Sequence, residues 1–149
     1  MTADNIIIDL DGTLCDSGWR THHAQNNEWD KFHRKSSRDM PFEDVKELVN
    51  MCAASGMWTI ALTGRSSEYR NITMNWFLDH NIKMAGLLMR PEGDYRSDTV
   101  IKPELLGNYF GSITRATERV ICILEDRDKM VKHWRGLGFR CWQVQEGEY

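Results

Sequence analysis

The chain has 149 residues with 22 acidic and 19 basic side chains, a net charge of −3. That length suits one domain burying roughly 70% of its unfolded surface, and the charge balance excludes a global basic field for nucleic acid while leaving room for a local positive groove. Nowhere do about 18 apolar residues run together, and the opening Met1-Thr2-Ala3-Asp4-Asn5 has no basic stretch followed by an apolar one, so a cytoplasmic protein without a membrane partner is expected.

Ile6-Ile7-Ile8 reads as a strand buried on both faces, as a central strand of a parallel sheet is. It runs into Asp9-Leu10-Asp11-Gly12-Thr13. On a strand Asp9 and Asp11 share a face, and two carboxylates so close are costly unless a cation lies between them or one holds a proton. Oxygen ligands at a strand end suit Mg²⁺. Gly12 lets the backbone turn and approach a ligand, and Thr13 brings a hydroxyl near any bound anion.

Residues 15–40 are polar and offer one candidate short helix, through Trp29, Phe32 and His33, so this long connection reads as a functional insert. Trp19 and Arg20 fall close enough to the carboxylates to line the same mouth, whereas His22 and His23 read as a solvated pair. Pro41 is placed at the first position of a helix that turns Phe42, Val45, Leu48, Val49 and Cys52 inward and stops at Gly56. Residues 58–62 form the second buried strand and lead into Thr63-Gly64-Arg65, after which Ser66-Ser67-Glu68 opens a helix with Ile72, Trp76 and Phe77 inward. The Arg65 fork suits two phosphate oxygens.

Residues 84–89 are a third strand, followed by a charge-dense segment, 90–102. Lys102 precedes Pro103 and is expected to be extended, just ahead of a helix through Leu105, Leu106, Tyr109 and Phe110. The fourth strand, 120–124, ends in Glu125-Asp126-Arg127-Asp128; a helix through Met130, Val131, Trp134 and Leu137 and a last strand at 139–144 complete the chain. Cys15, Cys52, Cys122 and Cys141 have no metal-ligand spacing and read as reduced, structural thiols. The fold class is therefore α/β: a mostly parallel, Rossmann-like sheet of about five strands with helices on both faces, one domain over 1–149, and a small cap or insert at about 15–40. In such a sheet ligands bind at the carboxyl ends of the strands, where Asp9, Asp11, Thr63, the 90–102 loop and Asp126 converge.

The stretch ending in Asp9-Leu10-Asp11-Gly12-Thr13 resembles the first motif of the haloacid dehalogenase (HAD) superfamily, mostly Mg²⁺-dependent phosphatases whose first aspartate is the nucleophile. Thr63 matches the second motif, Lys102 the third, and Glu125-Asp126 the acidic fourth, with Glu125 standing where an aspartate is usual. A closer resemblance, over nearly the whole chain, is to the 3′-phosphatase domain of phage-type polynucleotide kinase-phosphatases. It is carried by Arg20, Thr63-Gly64-Arg65, Arg90 through Asp98 to Lys102, Glu125-Asp126-Arg127 and Cys141-Trp142-Gln143-Val144. In that subfamily the positions matched by Arg20, Arg65, Arg90 and Asp98 bind substrate or organise the site. No G-x-x-x-x-G-K-[ST] loop occurs in these residues, so no nucleotide triphosphate site and no 5′-kinase activity are expected from them.

The resemblance implies a mechanism. Asp9 attacks phosphorus to give an aspartyl-phosphate, with Mg²⁺ held by Asp9, the Asp11 carbonyl and Asp126, and with Glu125 orienting a metal water. Asp11 protonates the leaving alcohol and then activates water, and Thr63 and Lys102 hold the phosphoryl oxygens beside Thr13 and Gly64. The expected substrate is a nucleic-acid end carrying a 3′-phosphate; the alternative is a mononucleotide or sugar phosphate. A receiver-like phospho-acceptor module is the non-enzyme alternative, disfavoured because the third strand ends in Met89-Arg90-Pro91 without an aspartate. Arg20, Arg65 and Arg90 offer more positive charge than one phosphoryl group needs, which suggests a neighbouring backbone phosphate. The competing reading has them pair with Asp16, Asp94 or Asp98 and brace the loops.

Overall fold

A computed structural model describes residues 2–147; Met1, Glu148 and Tyr149 of the expected 1–149 span lie outside it. Strand β1 (Asn5–Ile8) is followed by an insert in which short helices α1 (Thr21–Gln25) and α2 (Trp29–Arg34) lie between the strands of a small antiparallel ribbon, β2 (Cys15–Asp16) and β3 (Met40–Pro41). The chain continues through α3 (Glu43–Ala54), β4 (Trp58–Ser66), α4 (Arg70–Asp79), β5 (Gly86–Arg90), α5 (Asp98–Phe110), α6 (Ile113–Arg119), β6 (Val120–Glu125), α7 (Asp128–Gly136) and β7 (Cys141–Gln143). Five strands pair in parallel in the order β5-β4-β1-β6-β7. The order reverses at β1, which leaves a crevice beside its carboxyl end.

The period of two along β1 sorts its three isoleucines. Ile6 and Ile8 pack with Leu10, Leu14, Trp76, Phe77 and Leu87 on one face, and Ile7 packs with Ile60, Leu62, Leu106, Ile123 and Trp134 on the other. With helices covering both faces every β1 residue is buried, each apolar side chain contributing on the order of 1.5–3 kcal/mol. Such a strand slips only by exposing both cores, so the position of Asp9, one residue past its end, is pinned by packing.

The structure corrects several expectations. Pro41 is not the first helical residue: it pairs with Cys15 in the ribbon, the Phe42 amide donates to the Leu14 carbonyl at 2.8 Å, and α3 begins at Glu43. Proline's fixed φ and missing N–H fit a two-residue edge as well as a helix start. Lys102 is not extended: α5 begins at Asp98 and runs through Lys102 and Pro103, because burying Ile101, Lys102 and Leu106 outweighs the bias that proline imposes on its predecessor. Thr63-Gly64-Arg65 lies inside β4, which continues to Ser66 with a register irregularity. A turn of 3-10 helix, Ser67–Tyr69, then precedes α4. The insert is largely helical, and His23 is buried rather than solvated, its Nδ1 2.7 Å from Glu28 Oε2 and its Nε2 2.8 Å from Lys35 Nζ. None of the described helices is long and apolar enough to cross a membrane.

Candidate active site

Three carboxylates meet at the crevice. Asp9 follows β1, Glu125 ends β6 and Asp126 follows it; all are buried, and each can place an oxygen within 4.8 Å of the others. The Lys102 ammonium, brought in by α5, donates to Asp9 Oδ1 at 2.7 Å and to Glu125 Oε2 at 3.0 Å. Thr13 Oγ1 lies 3.0 Å from both Asp9 Oδ2 and Asp126 Oδ1, so a single hydroxyl proton faces two acceptors. Glu125 Oε1 also accepts the Asp126 and Arg127 amides.

Gly12, with φ of +83°, turns the chain at the end of the first motif, a conformation that side-chain-bearing residues rarely adopt. The turn swings Asp11 away from Asp9 and into a pair of guanidiniums. Arg65 binds it through both forks, Nε to Oδ2 at 3.1 Å and Nη2 to Oδ1 at 2.6 Å, and Arg20 Nη2 donates to the same Oδ1. Arg20 is itself wholly buried, gripped by Asp39 through Nε at 2.9 Å and Nη2 at 2.6 Å and packed 4.3 Å from the Phe32 ring. Asp39 therefore orders the acidic site from the far end of the insert.

A second knot braces the loops. Asp98, the first residue of α5, accepts from Arg90 Nη2 and, at 2.7 Å, from Arg127 Nη1. Arg90 Nε also donates to the Gly64 carbonyl at 2.8 Å. Any side chain at Gly64 would meet Asp98, since a Cβ there would lie 2.5 Å from its Oδ1. Thr63 is buried, its hydroxyl accepting the Arg65 amide at 3.1 Å.

The predicted site residues thus fall into two groups. Asp9, Thr13, Lys102, Glu125 and Asp126 form one contact cluster, with Asp11 beside it. Arg20, Arg65, Arg90 and Asp98 gather nearby, and each of these three arginines is ion-paired: Arg20 and Arg65 with Asp11, and Arg90 with Asp98. Sequence reading missed Asp39 and quoted Arg127 without giving it a role; the two complete these pairs. It also missed Gln145, whose side-chain amide donates to the Gly12 carbonyl and ties the segment after β7 to the first motif. Asp39 carries no local signal, because its role exists only once the insert folds back onto Arg20.

Charge and burial set the protonation states. Burial above all, with Glu125 adding, pushes the Asp9 carboxyl up to about 7 although Lys102 pulls the other way. Asp11 moves oppositely: burial opposes its charge, but Arg65 and Arg20 together hold it well below the usual carboxylate range. A raised carboxyl contributes stability that is fully present below its ordinary value of 3.8 and is lost as pH rises through about 7. In chelator, the unfolding free energy should accordingly drop between pH 4 and pH 8 by up to about 4 kcal/mol from Asp9, and Asp9→Asn should flatten that drop. Identical pH slopes in urea unfolding of the two proteins would contradict the assignment. Asp11 contributes with the opposite sign, its stabilisation being present above 3.8 and lost at more acidic pH.

A parallel five-stranded sheet whose central strand ends in paired aspartates, with a lysine from a later helix and a further acidic pair, defines a HAD-type phosphatase domain. The sequence pattern of the family described as "Polynucleotide kinase PNKP phosphatase domain" matches residues 3–149, and the chain belongs to that family. It is 28% identical over 134 residues to a protein of Autographa californica nuclear polyhedrosis virus named "Putative bifunctional polynucleotide kinase/RNA ligase", covering 89% of this chain and 18% of that one. It superposes with a TM-score of 0.83 and 30% identity on a chain from the structure of the Pnkp1/Rnl/Hen1 RNA repair complex, over 99% of this chain and 44% of that one. A HAD-like hydrolase from Streptococcus pneumoniae, 15% identical with a TM-score of 0.65 over 97% of this chain and 87% of that one, shares the fold. The chain thus spans less than half the length of the viral protein and of the chain from the Pnkp1/Rnl/Hen1 complex.

Proposed function

We propose that the chain is a divalent-metal-dependent phosphomonoesterase, with Mg²⁺ as its natural ion, that removes the 3′-phosphate from nucleic-acid ends through an aspartyl-phosphate. The observation that carries the metal and the chemistry is a cluster of oxygens: Asp9, Glu125 and Asp126 are buried together, each able to place a carboxylate oxygen within 4.8 Å of the others, beside the Lys102 ammonium. Buried carboxylates gathered together are expensive unless a cation joins them, and a set of hard oxygen donors suits a small divalent cation held by Asp9, Asp126 and the Asp11 carbonyl. Such an ion, when bound, withdraws charge from a phosphoryl oxygen.

The chain's own groups do the rest. An Asp9 oxygen forms the bond to phosphorus as the bond from phosphorus to the leaving oxygen breaks. Lys102 and the Thr63 hydroxyl steady the charge that spreads over the phosphoryl oxygens. Asp11 gives a proton to the departing alkoxide and later takes one from the water that attacks the aspartyl-phosphate, releasing phosphate and restoring Asp9. Arg20 and Arg65 keep Asp11 ionised in the arrangement described, which suits the water-activating half; delivering a proton requires its carboxyl to turn out of that clamp and take one up from solvent first. Arg90, Asp98 and Arg127 hold the Gly64 and α5 segments at the mouth.

Membership of the polynucleotide kinase PNKP phosphatase family supports the 3′-end substrate. Phosphate release from a 3′-phosphorylated oligonucleotide should exceed that from mononucleotides in kcat/KM, and chelator should abolish it. Preference for the mononucleotide would reassign the domain to small phosphates. Within the acidic pair, Asp126→Ala should raise the Mg²⁺ concentration needed for half-maximal activity more than Glu125→Ala does, because Glu125 is already engaged by Lys102 and two amides. The opposite ranking in a metal titration would move the ligand to Glu125.

A further inference from the structure

Beside the acidic site lies a groove of about 290 Å³ lined by Asp16, Trp19, Arg38 and Met40. The Trp19 indole is 44% exposed and Met40 64% exposed, so both present apolar surface to the groove. The indole is nevertheless held in place: its Nε1 donates at 2.9 Å to Oδ1 of Asp39, a carboxylate with no exposure, so swinging the ring away costs a hydrogen bond to a buried charge. The same Asp39 grips Arg20, which reaches Asp11. A chain of three hydrogen bonds, Asp11 to Arg20 to Asp39 to Trp19, therefore links the Asp11 carboxylate to the indole nitrogen. Asp16 Oδ1 accepts the Gly18 amide at 3.2 Å and fixes the turn that presents Trp19. Arg38 stands at the rim and, unlike Arg20, Arg65, Arg90, Arg96 and Arg127, pairs with no carboxylate among the described residues. Trp29, Tyr95 and Trp142 are also exposed, but among the described residues no hydrogen bond ties their rings to the acidic site.

A rigid aromatic face next to an uncommitted guanidinium is the pairing that single-stranded nucleic acid selects, one stacking a base and the other meeting backbone phosphate. We propose that this groove receives the base of the 3′-terminal nucleoside, stacked on Trp19, with Arg38 against the next phosphate along the strand. The inference rests on the 3′-end reading above and deepens it: the enzyme recognises the terminal base by its π-face and is indifferent to which base it is.

The test compares two oligonucleotides with a 3′-terminal phosphate, one bearing a terminal base and one abasic at that nucleoside, with an aryl phosphate alongside. For the native chain kcat/KM should favour the base-bearing end by about tenfold or more. The ratio should fall to near one in Trp19→Ala and stay partly above it in Trp19→Phe, whatever the overall rate of each variant. A native ratio within about twofold of one, or a ratio unchanged in Trp19→Ala, overturns the stacking site and leaves the 3′-phosphatase standing. Turnover of the aryl phosphate with none of either oligonucleotide overturns both.

Discussion

Asp9→Asn is expected to lower turnover of every phosphomonoester by about 10⁴-fold or more, as loss of a covalent nucleophile does elsewhere, while leaving the fold intact. The shape of the side chain is conserved, and Lys102 Nζ, now 2.7 Å from Asp9 Oδ1, keeps an oxygen to donate to. What disappears is the nucleophilic charge, together with one member of a buried trio of like charges. The metal-free variant should therefore melt higher than the native protein at pH 8, where Asp9 is ionised, and no higher at pH 4, where it is protonated. The combination separates a catalytic role from a structural one, since a residue needed only for folding would lose activity and melting temperature together. Asp9→Asn retaining more than about 1% of native kcat would remove the aspartyl-phosphate from the mechanism.

Lys102→Met should be the most damaging change to stability in the site. The methionine fills the same channel in α5, but Asp9 and Glu125 lose the ammonium they share at 2.7 and 3.0 Å. The Lys102 ammonium is fully charged: burial acts against its charge, yet Asp9 and Glu125 together raise its affinity for the proton well above the ordinary lysine range. Removing one partner from such a buried set costs on the order of 3–5 kcal/mol. In chelator at pH 8 the unfolding midpoint should move accordingly, and less so at pH 5, where Asp9 can take a proton in place of the lost ion pair. Added Mg²⁺ should recover part of the loss, because the excess negative charge then has a counter-ion. Activity should drop by about 10²–10³-fold even with metal, the usual cost of one group that stabilises transition-state charge. Native-like stability of Lys102→Met in chelator at pH 8 would mean that the trio does not carry the charge assigned to it.

The sequence by itself determined the layer architecture and the placing of the carboxylates. Three isoleucines followed by Asp9-Leu10-Asp11-Gly12-Thr13 can be buried on both faces only as a central parallel strand, so the acids had to sit at its carboxyl end. The buried runs ending near Thr63 and at Glu125-Asp126 follow the same logic, because hydrophobic burial is read from local periodicity and every residue needed for it is contiguous. Local signals failed where two elements competed for one segment. Pro103 argued that Lys102 was extended, but Ile101 and Leu106 pack inward only if α5 begins at Asp98.

The tertiary structure alone decided which charges are spent on one another. Counting Arg20, Arg65 and Arg90 suggested a basic mouth, whereas folding sets them against Asp39, Asp11 and Asp98. Pairing at sequence separations of 19 and 54 residues leaves no local pattern, since it depends on where the insert and β4 come to rest rather than on spacing along either. The same separation hid the hold that Asp39 has on Trp19, and with it the groove beside the acidic site.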